Sequence, residues 1–104
     1  MRRRAVVTGI GAVAGLGRGV GPIWQALLEG RRGPQRSAEL AALGLDVGPV
    51  ALVPGLPLDA PNRATTLALD AVREALADAG DVPRGERLGI TVGTTLGGIG
   101  GFLL

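Results

Sequence analysis

A short apolar run that ends in two hydroxyls and then breaks into glycines constrains this chain more than any other stretch. It reads Arg87-Leu88-Gly89-Ile90-Thr91-Val92-Gly93-Thr94-Thr95-Leu96-Gly97-Gly98-Ile99-Gly100-Gly101. The run from Arg87 has the β-branched content and length of a strand. Gly97, Gly98, Gly100 and Gly101 remove four Cβ atoms from the turn that follows, so backbone there can approach a ligand or another backbone closely. A strand and turn of this kind normally feed a helix, and only Phe102-Leu103-Leu104 remain. The expectation is therefore the opening portion of a larger domain.

The rest of the chain wants a core. Of its 104 residues 46% are apolar, which excludes a disordered tail. The 19 glycines and 7 prolines follow no collagen-like period and sit between apolar runs. All 11 basic residues are arginine, but the net charge is only +2, so there is no strong cationic field. The arginines are scattered, and Trp24 and Phe102 are the only aromatics, so no stacking platform for nucleic acid exists. With no Cys there is no disulfide, thiolate nucleophile or thiolate metal site. With no His the commonest general base is missing, so a covalent acyl-transfer site of Cys-His or Ser-His type cannot be assembled from these residues alone. No metal site and no cofactor are expected, and no catalytic residue is assigned.

Taken in order, residues 4–8 read as a first strand, extending as far as Ala14. Its near-continuous apolar character suits a strand buried on both faces. Arg2-Arg3-Arg4 before Ala5-Val6-Val7 also imitates the start of a secretory signal, with Ala12-Val13-Ala14 as a cleavage site. Gly9, Gly11 and Thr8 break that run, so the strand is preferred and the location expected is cytoplasmic. No stretch reaches 18 uninterrupted apolar residues, so no membrane-spanning helix is expected. Gly15-Leu16-Gly17-Arg18-Gly19 is a loop. A helix follows over residues 21–29, with Ile23, Ala26 and Leu27 on one face and Gly30 as its stop. Residues 37–43 form a short helix capped by Ser37, with Glu39 in its first turn. In residues 47–53, Pro49 permits only an edge strand or an extended segment. The clearest helix spans residues 61–79, where Ala64, Leu67, Ala68, Ala71, Val72, Ala75, Leu76 and Ala79 form a stripe. Asp59 or Ala60 precedes it, Pro61 sits near its first position and Gly80 ends it. The order strand, helix, irregular segment, helix, strand predicts an α/β layer with parallel neighbours.

Two motifs suggest specific chemistry. Gly9-Ile10-Gly11-Ala12-Val13-Ala14 fits a loose dinucleotide fingerprint after a strand. The second strand ending in an acid, which that fingerprint needs, is absent: Glu29 stands at a helix end. A nicotinamide-dependent oxidoreductase is therefore a weak alternative. Asp70, Glu74 and Asp78 recur every four residues on the long helix, which without His or a second acidic cluster reads as a solvated face. Thr94 and Thr95 offer hydroxyls and backbone N–H groups to an anion if a helix starts there. A helix cap with a tight turn explains the same residues.

The order of these pieces resembles a known family. Val6-Val7-Thr8-Gly9-Ile10-Gly11, then Leu16-Gly17, then Ile23-Trp24-Gln25-Ala26-Leu27-Leu28-Glu29-Gly30-Arg31-Arg32-Gly33 is similar to the N-terminus of β-ketoacyl-acyl carrier protein synthases. The resemblance resumes at Asn62-Arg63-Ala64, continues through Ala71 to Ala79-Gly80, and closes in Gly93-Thr94-Thr95-Leu96-Gly97-Gly98. It lapses over residues 34–61. The family often has Ser-Pro where this chain has Ala14-Gly15, and Gly where it has Thr95.

The resemblance implies a thiolase-like fold, of which residues 1–104 would be an incomplete N-terminal domain: part of the first α/β half, a mixed sheet with covering helices. It implies an acyltransferase of fatty-acid or polyketide biosynthesis that performs decarboxylative Claisen condensation through a cysteine and two histidines beyond this stretch. The chain alone is expected to be inactive. Implied partners are an acyl carrier protein or acyl thioester, and a homodimer or a heterodimer with a related synthase. A non-catalytic subunit of chain-length-factor type shares this segment and stays open. By the same resemblance Leu96 corresponds to a residue bordering the acyl pocket, with Thr94 and Thr95 beside it as substrate-contact candidates.

Overall fold

The computed structural model describes residues 2–82 and 84–98. Residues 99–101 of the glycine-rich turn thus lie outside the described residues. The chain divides into two units: Met1–Gly11 with Pro61–Leu104, and Ala12–Ala60.

The second unit begins with a hairpin. β1 (Val13–Ala14) pairs antiparallel with β2 (Gly17–Arg18), in the register Val13 to Arg18 and Ala14 to Gly17. The tip can come this close to the segment near Val50 only because residue 15 lacks a side chain. A Cβ on Gly15 would stand 2.9 Å from the Ala51 Cβ. The chain leaves the hairpin at Gly19, whose φ of 110° caps α1 (Val20–Leu28) and whose N–H donates to Ala12 O at 2.9 Å. The expected helix over 21–29 is therefore present, shifted by one residue. α1 packs on the hairpin, and its Ala26 is the one buried apolar side chain among the described residues. Gly30 ends it as expected, at φ 68°, where a side chain would be strained. Gly30 N–H reaches Leu27 O and Arg31 N–H reaches Ala26 O, so two orphan carbonyls are satisfied at once.

α2 (Ala38–Ala42) repeats the same logic. The Ser37 hydroxyl accepts from Leu40 N–H at 3.2 Å, Glu39 lies in the first turn, and Gly44 and Leu45 donate back to Ala41 and Leu40. After it, residues 47–53 make a single bridge. Gln35 and Val50 exchange both backbone hydrogen bonds, at 3.0 and 2.8 Å. Pro49, with no N–H to give, stands next to that bridge, which keeps the segment from growing into a ladder.

The other unit is built on α3 (Arg63–Ala79). Its start corrects the expectation: the cap is Asn62, not Asp59 or Ala60, and Pro61 stands outside the helix. Asn62 has φ 51°, a left-handed conformation that asparagine tolerates and that a right-handed helix cannot contain. Gly80 ends the helix at φ 73° and donates to Leu76 O.

Two strand expectations are corrected in the same unit. Residues 4–8 and 87–92 carry no ladder, so the only sheet among the described residues is the antiparallel hairpin. A strand exists only by its neighbour's hydrogen bonds, and a buried parallel strand needs neighbours from further along a chain. Val6, Val7, Ile90 and Val92 accordingly stand about 80% exposed. The α/β class holds, as a small mixed assembly of one hairpin and three helices.

Candidate functional site

The glycine-rich turn belongs to the α3 unit. Thr94 Oγ1 accepts from Gly97 N–H at 3.2 Å. That bond closes a tight turn, and no helix starts there among the described residues. The bond uses the Gly97 N–H, a donor that an anion would need, which leaves the tight-turn reading ahead of an anion site. Leu96, between these partners, has φ 55°, and Gly98 follows at φ 80°. A left-handed leucine costs about 1–2 kcal/mol against its ordinary conformation, so the turn must be held by its surroundings. Gly97 permits the turn: a Cβ there would fall on Thr94 Oγ1 and lie 3.6 Å from the Ala64 Cβ, on the first turn of α3. The Leu96 side chain is 73% exposed and Thr95 is exposed beside it. The three candidates are consecutive and share one turn. No cluster of three His, Cys, Asp or Glu able to hold a metal occurs among the described residues.

The Gly9-x-Gly11 pair is engaged elsewhere. A Cβ on Gly9 would collide with Ala75 O and lie 2.6 Å from Ala79 N; one on Gly11 would collide with Ala71 O. Both glycines therefore lie directly on the backbone of α3, along its Ala71, Ala75 and Ala79 stripe. Two residues of extended chain advance about 6.6 Å and four residues of helix about 6 Å. A Gly-x-Gly run and an Ala-x-x-x-Ala stripe thus stay in step. Ile10, between the glycines, donates its N–H to Asp78 Oδ2 at 3.0 Å. Close approach is real at this motif, but what approaches is a helix and not a pyrophosphate.

That hydrogen bond also revises the acidic stripe. Asp78 is a tether for the N-terminal segment. Asp70 is 27% exposed, with Arg73 Nη1 at 3.7 Å, and Glu74 is half-buried. The face left open is apolar instead: Leu69, Val72 and Leu76 are each about half exposed. Sequence reasoning missed Asp78 as an acceptor and Ala64 as a neighbour that a side chain at residue 97 would meet. No periodicity signals either, because each partner comes from a distant part of the chain. In the other unit, two clefts of about 270 Å³ flank Arg36 and Ser37. The first lies wholly within the stretch over which no family motif was found, and the second also takes in Gly15 and Gly33.

Comparison with known proteins gives this arrangement its class. Over 94% of its length the chain is 39% identical to nodulation protein E of Rhizobium meliloti (strain 1021). Over 94% of its length it is 32% identical to 3-oxoacyl-[acyl-carrier-protein] synthase 2 of Coxiella burnetii. Over 91% it is 34% identical to the tetracenomycin polyketide synthase ketoacyl synthase alpha subunit of Streptomyces glaucescens. Two of these relatives are ketoacyl synthases by name, and the chain is similar over more than nine-tenths of its length to a portion of such a protein. It spans about a quarter of the length of these curated relatives: 27%, 27% and 25%. No family model matches the chain, and no solved structure matches it.

Proposed function

We propose that this chain supplies the opening of the first α/β half of a thiolase-like β-ketoacyl-acyl carrier protein synthase, with residues 1–104 as an incomplete N-terminal domain. The whole enzyme would be a cytoplasmic acyltransferase of fatty-acid or polyketide synthesis that joins two acyl units by decarboxylative Claisen condensation. It would work with an acyl carrier protein and as a dimer with itself or a related synthase. The observation that carries this reading is similarity along more than nine-tenths of the chain to two proteins named as ketoacyl synthases, at 32% and 34% identity.

Within that enzyme the described chain does no bond-making, since it has neither Cys nor His. Its contribution is shape. The turn at residues 94–98 would form part of the wall of the acyl pocket, with the exposed Leu96 touching the chain and Thr94 and Thr95 beside it. A leucine followed by two glycines can contact an apolar chain without a Cβ on its C-terminal side to block it.

The test is an exchange. Residues 1–98 replace the matching stretch of a 3-oxoacyl-[acyl-carrier-protein] synthase, and formation of 3-oxoacyl product is measured. The exchanged enzyme is expected to condense, while the 104-residue chain alone gives no product. A soluble, folded exchange protein with no condensation would count against the reading, as would turnover by the isolated chain.

A further inference from the structure

The proposed role of Leu96 depends on a backbone conformation that leucine does not choose by itself. Three observations converge on how it is held. Leu96 is one of only two non-glycine residues at positive φ among the described residues, the other being Asn62, which caps a helix. The residues around it are joined by a hydrogen bond from Gly97 N–H to Thr94 Oγ1. A Cβ on Gly97 would fall on Thr94 Oγ1 and meet the Ala64 side chain of α3 at 3.6 Å, so the turn closes here only because residue 97 is glycine.

We infer that Thr94 is a positioning residue for Leu96: its hydroxyl, clamped to Gly97 N–H, keeps Leu96 left-handed and fixes how far its side chain reaches. This inference rests on the reading of Leu96 as a wall of the acyl pocket and adds what sets that wall. Valine has nearly the volume of threonine but no acceptor, so Thr94→Val removes the clamp and little else. Serine keeps the acceptor. The Leu96 side chain would then swing as the turn relaxes toward ordinary φ. Acyl-length preference would change although Leu96 itself had not been replaced.

Two measurements test it. The first uses the 104-residue chain and needs no activity: the one-bond Cα–Hα coupling of Leu96 reports the sign of φ, and hydrogen exchange reports the Gly97 amide. Thr94→Val is expected to abolish the positive φ and to weaken Gly97 protection about five-fold, the worth of one ordinary hydrogen bond. Thr94→Ser is expected to keep both. A left-handed Leu96 that survives Thr94→Val overturns the inference. The second uses the exchanged synthase described above and compares product chain lengths for Thr94→Val, Thr94→Ser and Leu96→Gly. A shift with Thr94→Val that Thr94→Ser does not share supports the clamp. A shift with Leu96→Gly but none with Thr94→Val overturns the clamp and leaves the wall standing. No shift with Leu96→Gly removes the wall, and the clamp's functional role with it.

Discussion

Glycines in this chain divide by what lies beside them, and the division has measurable consequences. Gly9 and Gly11 lie on the α3 backbone, where an added methyl would fall inside contact distance of Ala71, Ala75 and Ala79. Gly9→Ala and Gly11→Ala are each expected to lower stability by about 1–3 kcal/mol, as overpacking does. Gly89 has open space around it and no positive φ. Gly89→Ala is expected to be neutral, or stabilising by up to about 1 kcal/mol through the unfolded chain. Urea titration of the three variants side by side checks both claims, and equal losses at all three would refute the distinction. The sequence makes the glycine pair conspicuous but does not identify its neighbour. A Gly-x-Gly run only announces that something comes close. A cofactor phosphate and a helix with an alanine stripe make the same demand on residues 9 and 11. Leu96 was equally visible as the large residue of its turn. Its left-handed backbone was not, because nothing local in a Thr-Thr-Leu-Gly-Gly sequence asks for it.

At the scale of elements, what was legible follows the range of the forces. The three helices could be placed from sequence because their signals are local: Ser37 as a cap, Gly30 and Gly80 as stops, the apolar recurrence through α3. Errors at their ends come from backbone choices, as at Asn62. Strands could not be placed the same way. Residues 4–8 and 87–92 have the composition of strands, but a ladder needs partners that composition does not supply. The joint between α3 and the N-terminal segment is likewise non-local, and it can be tested through the Asp78 acceptor. Asp78→Ala is expected to speed hydrogen exchange of the Ile10 amide by about ten-fold or more, since the acceptor lost is a carboxylate. Asp78→Asn, which keeps a side-chain carbonyl oxygen, should retain most of the protection. If Ile10 exchanges at the same rate in all three proteins, the tether is not formed in solution.

For the molecule as a whole, the dominant fact is how much strand-like apolar surface is uncovered. Val6 is 78% exposed, Val7 82%, Ile90 84% and Val92 80%. Unpaired, β-branched backbone of this kind associates with itself. The 104-residue chain is expected to form oligomers whose size grows with concentration in sedimentation velocity. A monomer with a single sharp unfolding transition at high concentration would show that the exposed stretches are satisfied in some other way. The division into two units has a temporal side as well. The unit of residues 12–60 is continuous, so it can form as soon as it has been synthesised. The unit around α3 is not: Ile10 must wait for Asp78, a separation of 68 residues. At about 5–20 residues per second on the ribosome that wait is roughly 3–14 s. For all of that interval the Gly9 and Gly11 seat is empty, and Val6 and Val7 travel beside it. The segment around Gly9 and Gly11 is thus made well before the helix that seats it, and its strand-like neighbours stay uncovered meanwhile.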